Sequence, residues 1–299
     1  MPCGNRHEAG RAGKGYSMSE QSPKHHAVPT FDEMTSVEIG AAIKENAVIL
    51  ISLGATEQHG AHLPLGADTM QGIELARRTV ARLHAEGHPA IVGPAIPFGP
   101  RGFLSETPIK LPGNVNLSAS TFMKVLEEIG REIIDQGFRR VYFLGFHAES
   151  DAPMQIVAKS LCETTEANVV TLNWLVGARP RYSKYMEAQA QDGHGGEGET
   201  CRMLATAPHL CRMEKAEPWH PTISENQPEA DALPYLGGGV GRFKMAEPYF
   251  QGFTSGVTGD PQLATADRGE LVYDLMTGWL VDVIRHDLQG TEDYSRAEL

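Results

Sequence analysis

Cysteines are scarce in this 299-residue sequence, and none stands at the spacing of a redox or metal-binding pair. The four that are present, Cys3, Cys162, Cys201 and Cys211, lie far apart and include no CxxC. Disulfide frameworks and cysteine zinc sites need numerous or closely spaced cysteines. The lack of closely spaced cysteines therefore excludes both arrangements. It is also typical of proteins in the reducing cytoplasm, which is where we expect this protein.

Long apolar runs and excess positive charge are missing as well. The longest apolar candidate, residues 47–51, is far shorter than the ~18–20 residues that cross a bilayer. Lys and Arg total 26 against 38 Asp and Glu, which gives a formal net charge of −12. Because nucleic acid phosphates are bound by clustered Lys and Arg, this balance argues against such a partner. We therefore expect neither a membrane nor a nucleic acid partner.

Residues 1–27 differ in character from the rest. They are rich in glycine and charge and lack the apolar stretch of a signal peptide, so we predict a disordered N-terminal extension, within which Met18 could be the true start. The whole chain is 41% hydrophobic, enough for one substantial core. A single domain over residues 28–299 is the prediction.

Strands and helices are predicted to alternate. The predicted strands are 48–53, 90–92, 140–146 and 169–175. The predicted helices are 30–46, which opens with a capping box of Thr30 and Glu33, then 69–84, 118–136, 153–165 and 268–286. Such alternation indicates βαβ units. The predicted fold class is therefore α/β, a three-layer α/β/α sandwich with a mostly parallel sheet.

The segment LGATEQHGAHLPLGAD, residues 53–68, directly follows the first predicted strand. Glu57 and His59 are two residues apart, and side chains i and i+2 of an extended chain project to the same side. Asp68 stands at the start of the next helix, from which a loop can fold it back to the same point. Because ligands usually bind at the carboxyl ends of parallel strands, we expect a site here.

His147 and Glu149 repeat this spacing after the strand at 140–146. A single such pair is more simply a buried hydrogen-bonded pair, and Glu57 and His59 alone could be surface loop residues. Two pairs together with Asp68 favour metal binding, since five imidazole and carboxylate ligands suit two divalent ions. The expected cofactors are two ions per chain, Zn and/or Mn, with Mg or Fe as further candidates.

A third motif, HGGEGET, begins at His194 and precedes a helix. Its glycines let the backbone approach a substrate, and an imidazole that titrates near neutral pH can pass a proton to a leaving nitrogen. Glu197 and Glu199 begin the helix, where either carboxylate could simply favour the helix dipole. Whether these two glutamates are structural or belong to the site stays open here.

Together, these three motifs and GVTGDPQLATADRGE near residue 260 resemble the creatininase (creatinine amidohydrolase) family over about residues 45–285. The resemblance implies a creatininase-like fold with a two-metal site and a bridging water as nucleophile. The metal ligands that it implies are Glu57, Asp68 and His147 for one ion, and His59, Asp68 and Glu149 for the other. His194 matches the family's catalytic histidine, which would protonate the leaving nitrogen.

The same resemblance implies substrate contacts and an assembly. Ser105 and Trp174 match substrate-contacting positions of creatininase. Creatininase also carries a tryptophan four residues before its catalytic histidine and an aromatic residue between the HxE ligands, where this chain has Ala190 and Ala148. We therefore expect a pocket of different shape with the reaction type retained. A homo-oligomer, a hexamer by resemblance, is also expected.

The function predicted from the sequence is hydrolysis of a C–N bond in a small, nitrogen-rich amide, linear or cyclic, with creatinine as the best named substrate. One alternative is a formamide deformylase of flavin or deazaflavin biosynthesis, which would need basic residues such as Arg101, Arg179 and Arg181 for a phosphate. Another is a peptidase of the mycofactocin type. The non-enzyme alternative is a metal-binding protein without catalysis, against which His194 argues.

Overall fold

The computed structural model describes residues 27–102, 111–188, 192–220 and 253–294. Most of the predicted N-terminal extension lies outside the described residues, and so do Ser105 and Ala190. Within the described ranges, strands and helices alternate from residue 48 to residue 173. The extension, the single domain and the Ser105 contact therefore stay predictions.

Four parallel strands form the central sheet: β1 (Val48–Leu53), β2 (Ala90–Val92), β3 (Arg140–Gly145) and β4 (Asn168–Asn173). Their order is β2-β1-β3-β4. β1 and β3 pair along their whole length, from Val48 opposite Arg140 to Leu53 opposite Gly145. Every residue of β1 is buried, as a central strand covered on both faces requires. The predicted α/β class with a parallel sheet is confirmed.

Helices cover both faces of the sheet. One face carries α2 (Ala67–Ala85) and α8 (Ala266–Tyr294), and the other carries α1 (Ser36–Lys44), α3 (Ala119–Asp135) and α4 (Asp151–Thr164). Alternate residues of β1 face the two cores, with Val48 and Leu50 in one and Ile49 and Ile51 in the other. The result is the three-layer sandwich that the alternation of elements predicts.

Three further helices follow β4: α5 (Trp174–Gly177), α6 (Arg179–Tyr182) and α7 (Glu197–Thr206). β4 ends before Trp174, which begins α5, so the strand predicted to run to residue 175 is too long. α8 continues past its predicted end at residue 286 to Tyr294. Among the described residues, no helix is both long and apolar enough to span a membrane.

The helix predicted at 30–46 is wrong in its first turn. The capping box of Thr30 and Glu33 does form, but it closes only a 3-10 turn at Phe31–Glu33. Thr30 also pairs with Val92 in an isolated parallel bridge. A second capping box, formed by Thr35 and Glu38, then starts α1 at Ser36. Two capping signals in succession thus give a turn and then a shorter helix.

The first turn of α2 lies directly against the end of β1. A Cβ atom on Gly54 would lie 2.4 Å from Thr69 Oγ1, and one on Gly72 would lie 2.0 Å from Ser52 Oγ. Only glycine permits backbones to approach so closely. This contact brings Asp68, in the first turn of α2, beside the residues that follow β1.

Candidate metal centre

The carboxyl ends of β1 and β3 lie side by side, and potential metal ligands follow both. Phe146 N donates to Leu53 O over 2.8 Å, which continues the pairing beyond the strands. β2 lies on one side of β1, and β3 lies on the other. The order in which strands are added to the sheet therefore reverses between β1 and β3. Parallel α/β sheets bind ligands at such a switch point.

Glu57, Asp68 and His147 form a first set of donors, and all three are buried. Nδ1 of His147 lies 3.1 Å from Glu57 Oε1 and 3.4 Å from Asp68 Oδ2. One donor atom from each residue lies within 4.8 Å of the others. The structure thus brings together the ligands that the family resemblance implies for one ion.

His59, Asp68 and Glu199 form a second set. Nε2 of His59 lies 3.1 Å from Asp68 Oδ1 and 3.5 Å from Glu199 Oε2. The other ring nitrogen, Nδ1, lies 3.1 Å from Glu57 O. Asp68 therefore directs one oxygen to each set, the arrangement expected of a carboxylate that bridges two ions.

Glu149 lies on the opposite side of the His147 ring from the first set. Its Oε2 is 3.2 Å from His147 Nε2, which also lies 2.8 Å from Pro100 O. Glu149 is in none of the donor sets that the described residues form. A carboxylate behind a metal-binding imidazole orients the ring and increases its basicity. The structure places Glu199 where the resemblance implies Glu149, and ligation by Glu149 stays a prediction.

His194 stacks on His59, with ring centroids 4.3 Å apart and an interplanar angle of 23°. Its Nε2 lies 2.5 Å from Gln58 O, and its Nδ1 lies 3.6 Å from Glu57 Oε1. The contact with a carbonyl assigns the hydrogen to Nε2, so Nδ1 is the nitrogen that faces the donor atoms. The side chain is 14% exposed, more than those of Glu57 and His59.

Burial and charge compete at these groups. Burial opposes ionisation of Glu57, but the charges of His147 and His194, together with the hydrogen bond from His147, hold the pKa of Glu57 below its usual value. Burial likewise disfavours the charged form of His59, yet Asp68 raises its pKa to about 10. The pKa of His147 is raised well above its usual value against burial, chiefly by Glu57. His59 and His147 therefore favour their protonated forms, and a metal ion that binds to them would displace these protons.

The centre has the composition of a divalent-metal site. Three carboxylates and three imidazoles converge there: Glu57, Asp68, Glu199, His59, His147 and His194. Within the described ranges Asp68 Oδ2 is buried and makes no hydrogen bond, although His147 Nδ1 lies 3.4 Å from it. An unsatisfied buried carboxylate oxygen is costly, and a cation would satisfy it. The residues therefore fit divalent ions with mixed nitrogen and oxygen ligands.

Glu197 and Glu199 point away from each other on the first turn of α7. The buried carboxylate of Glu197 accepts from the backbone nitrogens of residues 187 and 188, over 3.1 and 2.7 Å, and pairs with Arg268. Glu199 instead faces His59. Glu197 therefore anchors the chain before the HGGEGET motif, while Glu199 belongs to the centre.

Trp174 lies in the hydrophobic core and is 8% exposed. Its ring centroid lies 4.3 Å from the guanidinium carbon of Arg202, and its Nε1 donates to Phe146 O over 3.4 Å. The indole therefore supports the residue that precedes His147. The substrate contact predicted for Trp174 stays a prediction.

Two residues of the first motif have structural roles that the sequence reasoning missed. The backbone oxygen of Gln58 holds His194, and its backbone nitrogen donates to Asn114 Oδ1 over 2.8 Å. His62 is buried and contacts Thr200. The sequence feature that could have indicated a role for His62 is its position, three residues after His59 in the same motif.

The fold and the centre together define an α/β protein whose clustered carboxylates and imidazoles could hold divalent metal ions. The family model described as creatininase, creatinine amidohydrolase, matches residues 32–284, and the chain therefore belongs to the creatininase family. As a member of that family, the protein is a hydrolase that acts on C–N bonds. The predicted family and enzyme class are confirmed.

Several known proteins resemble the chain over most of its length. A mycofactocin precursor peptide peptidase of Mycobacterium tuberculosis is 29% identical over 260 residues, which are 85% of this chain and 91% of the relative. A creatinine amidohydrolase of Pseudomonas putida is 24% identical over 272 residues, which are 87% of this chain and 97% of the relative. A crystal structure of creatinine amidohydrolase matches with a TM-score of 0.68 at 22% identity and covers 87% of this chain and 98% of that one.

Proposed function

We propose that the protein is a dinuclear-metal-dependent amidohydrolase that cleaves a C–N bond in a small amide. The observation that carries this proposal is the position of Asp68, whose two oxygens face two different donor sets. Both sets are largely buried, and the more exposed His194 stands beside them. Asp68 could therefore contribute to the binding of two ions, which together would activate a water molecule for hydrolysis, and His194 would be available for proton transfer.

Glu57, Asp68 and His147 would hold one ion, and His59, Asp68 and Glu199 would hold the other, with Glu149 as the alternative ligand. Solved creatininases include a zinc–zinc form and a manganese form, which supports zinc or manganese here. When bound, the two ions would polarise the amide carbonyl and lower the pKa of a water molecule, so that hydroxide is available near neutral pH.

His194 would accept a proton at Nδ1 from the attacking water and deliver it to the leaving nitrogen. Its Nε2 hydrogen is held by Gln58 O, which leaves Nδ1 as the atom that exchanges the proton. Stacking on His59 and the contact with Gln58 restrict the ring to one orientation. A general acid held in place in this way contributes a factor of ~10²–10⁴ to the rate.

Creatinine is the first substrate to test, and a short peptide is the second. Similarity to the creatinine amidohydrolase of Pseudomonas putida supports creatinine. The peptide has specific support as well, because the mycofactocin precursor peptide peptidase is 29% identical over 260 residues. Ala148 is also smaller than the aromatic residue that creatininase carries between the corresponding ligands, so we expect a pocket of different shape.

The deformylase alternative has less support. Of its three candidate phosphate-binding arginines, Arg179 donates to Asp192 O over 2.5 Å. Arg181 donates to Gly177 O. Both guanidinium groups therefore have intramolecular partners, which weakens the case for a phosphorylated substrate.

The test begins with the metal content of the purified protein. The same sample is then incubated with creatinine, formamides, lactams, hydantoins and short peptides. We expect about two divalent ions per chain, and turnover of a panel member that a chelator abolishes and added metal restores. Bound metal without turnover of any panel member would support the metal centre and extend the search to other amides. No bound or restorable metal would overturn the proposal.

A further inference from the structure

His62 lies in the first motif and is 1% exposed, but it is in none of the donor sets found among the residues that the structure describes. Its Nε2 lies 2.9 Å from Oγ1 of Thr200, a fully buried residue of α7. The two residues are 138 positions apart in the sequence. His62 therefore joins the segment after β1 to the helix that carries Glu199.

The hydrogen bonds around Thr200 assign the hydrogen of the imidazole. Thr200 Oγ1 donates its one hydrogen to Gly195 O over 3.2 Å. The same oxygen then accepts from His62, so the ring hydrogen is on Nε2. Burial, and after it the charge of His59, lowers the pKa of His62 to about 4. A neutral ring with one donor agrees with this geometry.

The chain of contacts continues from Thr200 to the Glu199 carboxylate. Gly195 is held at its oxygen by Thr200, and its nitrogen donates to Glu199 Oε2 over 2.7 Å. Gly195 has a φ of 63°, a left-handed conformation that glycine adopts without strain. Oε2 is also the oxygen that lies 3.5 Å from His59 Nε2. The position of Gly195 therefore sets the direction of this carboxylate.

We propose that His62 is a positioning residue, which fixes Thr200 and Gly195 and through them aims the Glu199 carboxylate at the second donor set. This inference rests on the proposed function, because it takes Glu199 as a ligand of an ion bound there. Loss of the partner that orients a ligand typically weakens metal binding by ~10–100-fold. The second ion is therefore the one that depends on His62, since no ligand of the first set is held by this chain of contacts.

The test is a titration of the metal-free protein with Zn²⁺ against a chromogenic chelator, which reports the number of ions and the affinity of each. His62→Leu and Thr200→Val each remove one partner of the bond with little change in volume. We expect each variant to lower the affinity for the second ion by ~10–100-fold and to leave the affinity for the first ion unchanged. The double variant should bind the second ion no more weakly than Thr200→Val does, because Thr200→Val already removes the bond to His62 as well as its own bond to Gly195 O.

Two further variants separate positioning from general destabilisation. His62→Gln carries an amide nitrogen that can reach the place of Nε2, so it should bind the second ion within a few-fold of the wild type. His84 is a matched control at the far end of α2, where its Nε2 lies 2.7 Å from Ala90 O. His84→Leu should bind both ions normally. Urea unfolding shows which variants are folded, and Thr200→Val carries the test if His62→Leu is not.

The outcomes distinguish this inference from the proposed function. If folded His62→Leu and Thr200→Val bind two ions with wild-type affinity, the inference is overturned and the proposed function stands. Equal weakening of both ions would also overturn it, because His62 would then support the centre as a whole. A wild-type protein that binds neither Zn²⁺ nor Mn²⁺ would overturn both.

Discussion

The guanidinium carbon of Arg202 lies 4.3 Å from the centroid of the Trp174 ring, and both side chains are buried. Nε of Arg202 donates to Gln71 Oε1 over 2.5 Å. Gln71 lies one turn after Asp68 on α2, and Trp174 supports Phe146, the neighbour of His147. The contact between Arg202 and Trp174 therefore connects the helix that carries Asp68 with the residue that precedes His147.

Replacement of Trp174 by leucine should destabilise the protein. The variant loses a desolvated cation–π contact and the hydrogen bond to Phe146 O and leaves a cavity, for a total of about 3 kcal/mol. Urea unfolding of the wild type and the variant, both loaded with metal, measures the loss. An unchanged unfolding free energy with a raised KM would instead support the substrate contact predicted for Trp174.

The sheet could be predicted because its signals are local. β1 and β3 are mostly apolar segments, and α3 begins after Ser118, whose side chain accepts from Thr121 N. The error at residues 30–46 has the same local origin. Two capping boxes stand five residues apart, and the sequence pattern does not show that the first would start only a 3-10 turn.

The centre could be predicted only in part. Glu57 and His147 follow neighbouring strands, so their meeting is a consequence of the parallel sheet. The choice between Glu197 and Glu199 depends on how α7 packs, which no local pattern reports. Helical geometry does contain one clue, because residues two apart on a helix face nearly opposite directions, at ~200°. Only one of these glutamates could therefore face the centre.

Glutamine replacements at Glu199 and Glu197 should have separable effects. Glu199→Gln removes a charged donor from the second set, so we expect loss of one ion per chain at micromolar Zn²⁺. Glu197→Gln should keep both ions but lose about 2 kcal/mol of stability, because the paired Arg268 is left without its buried carboxylate. Metal analysis and urea unfolding of the two variants make the comparison.

Either result could contradict this assignment. If Glu199→Gln binds two ions tightly and Glu149→Gln loses one, Glu149 is the ligand of the second ion, as the family resemblance implies. Loss of metal in Glu197→Gln without a change in stability would show that this carboxylate, too, acts on the centre.

The metal-free protein should become less stable as the pH rises. The pKa of His59 is raised from 6.5 to about 10 in the folded protein, and that of His147 is also raised. Such groups contribute stability that is complete below about pH 6.5 and is lost towards about pH 10. Urea unfolding of the chelator-treated protein between pH 6.5 and 9.5 measures this slope. Metal affinity should rise over the same range, because each ion displaces protons.

A matched variant tests whether His59 causes the slope. His59→Gln cannot hold the proton, so its metal-free form should lose less stability between pH 6.5 and 9.5 than the wild type does. His84→Gln, which alters a histidine outside the donor sets, should keep the wild-type slope. A wild-type stability that is constant or increases over this range would contradict the assignment of protons to the centre.

His194→Asn should separate proton transfer from metal binding. If Nδ1 delivers a proton to the leaving nitrogen, kcat for the substrate identified by the panel should fall by ~10²–10⁴-fold. Both ions should stay, because each of the two sets that contain Asp68 is complete without His194. Loss of an ion would make His194 a ligand with Glu57 and His59, and unchanged kcat with both ions bound would remove its catalytic role.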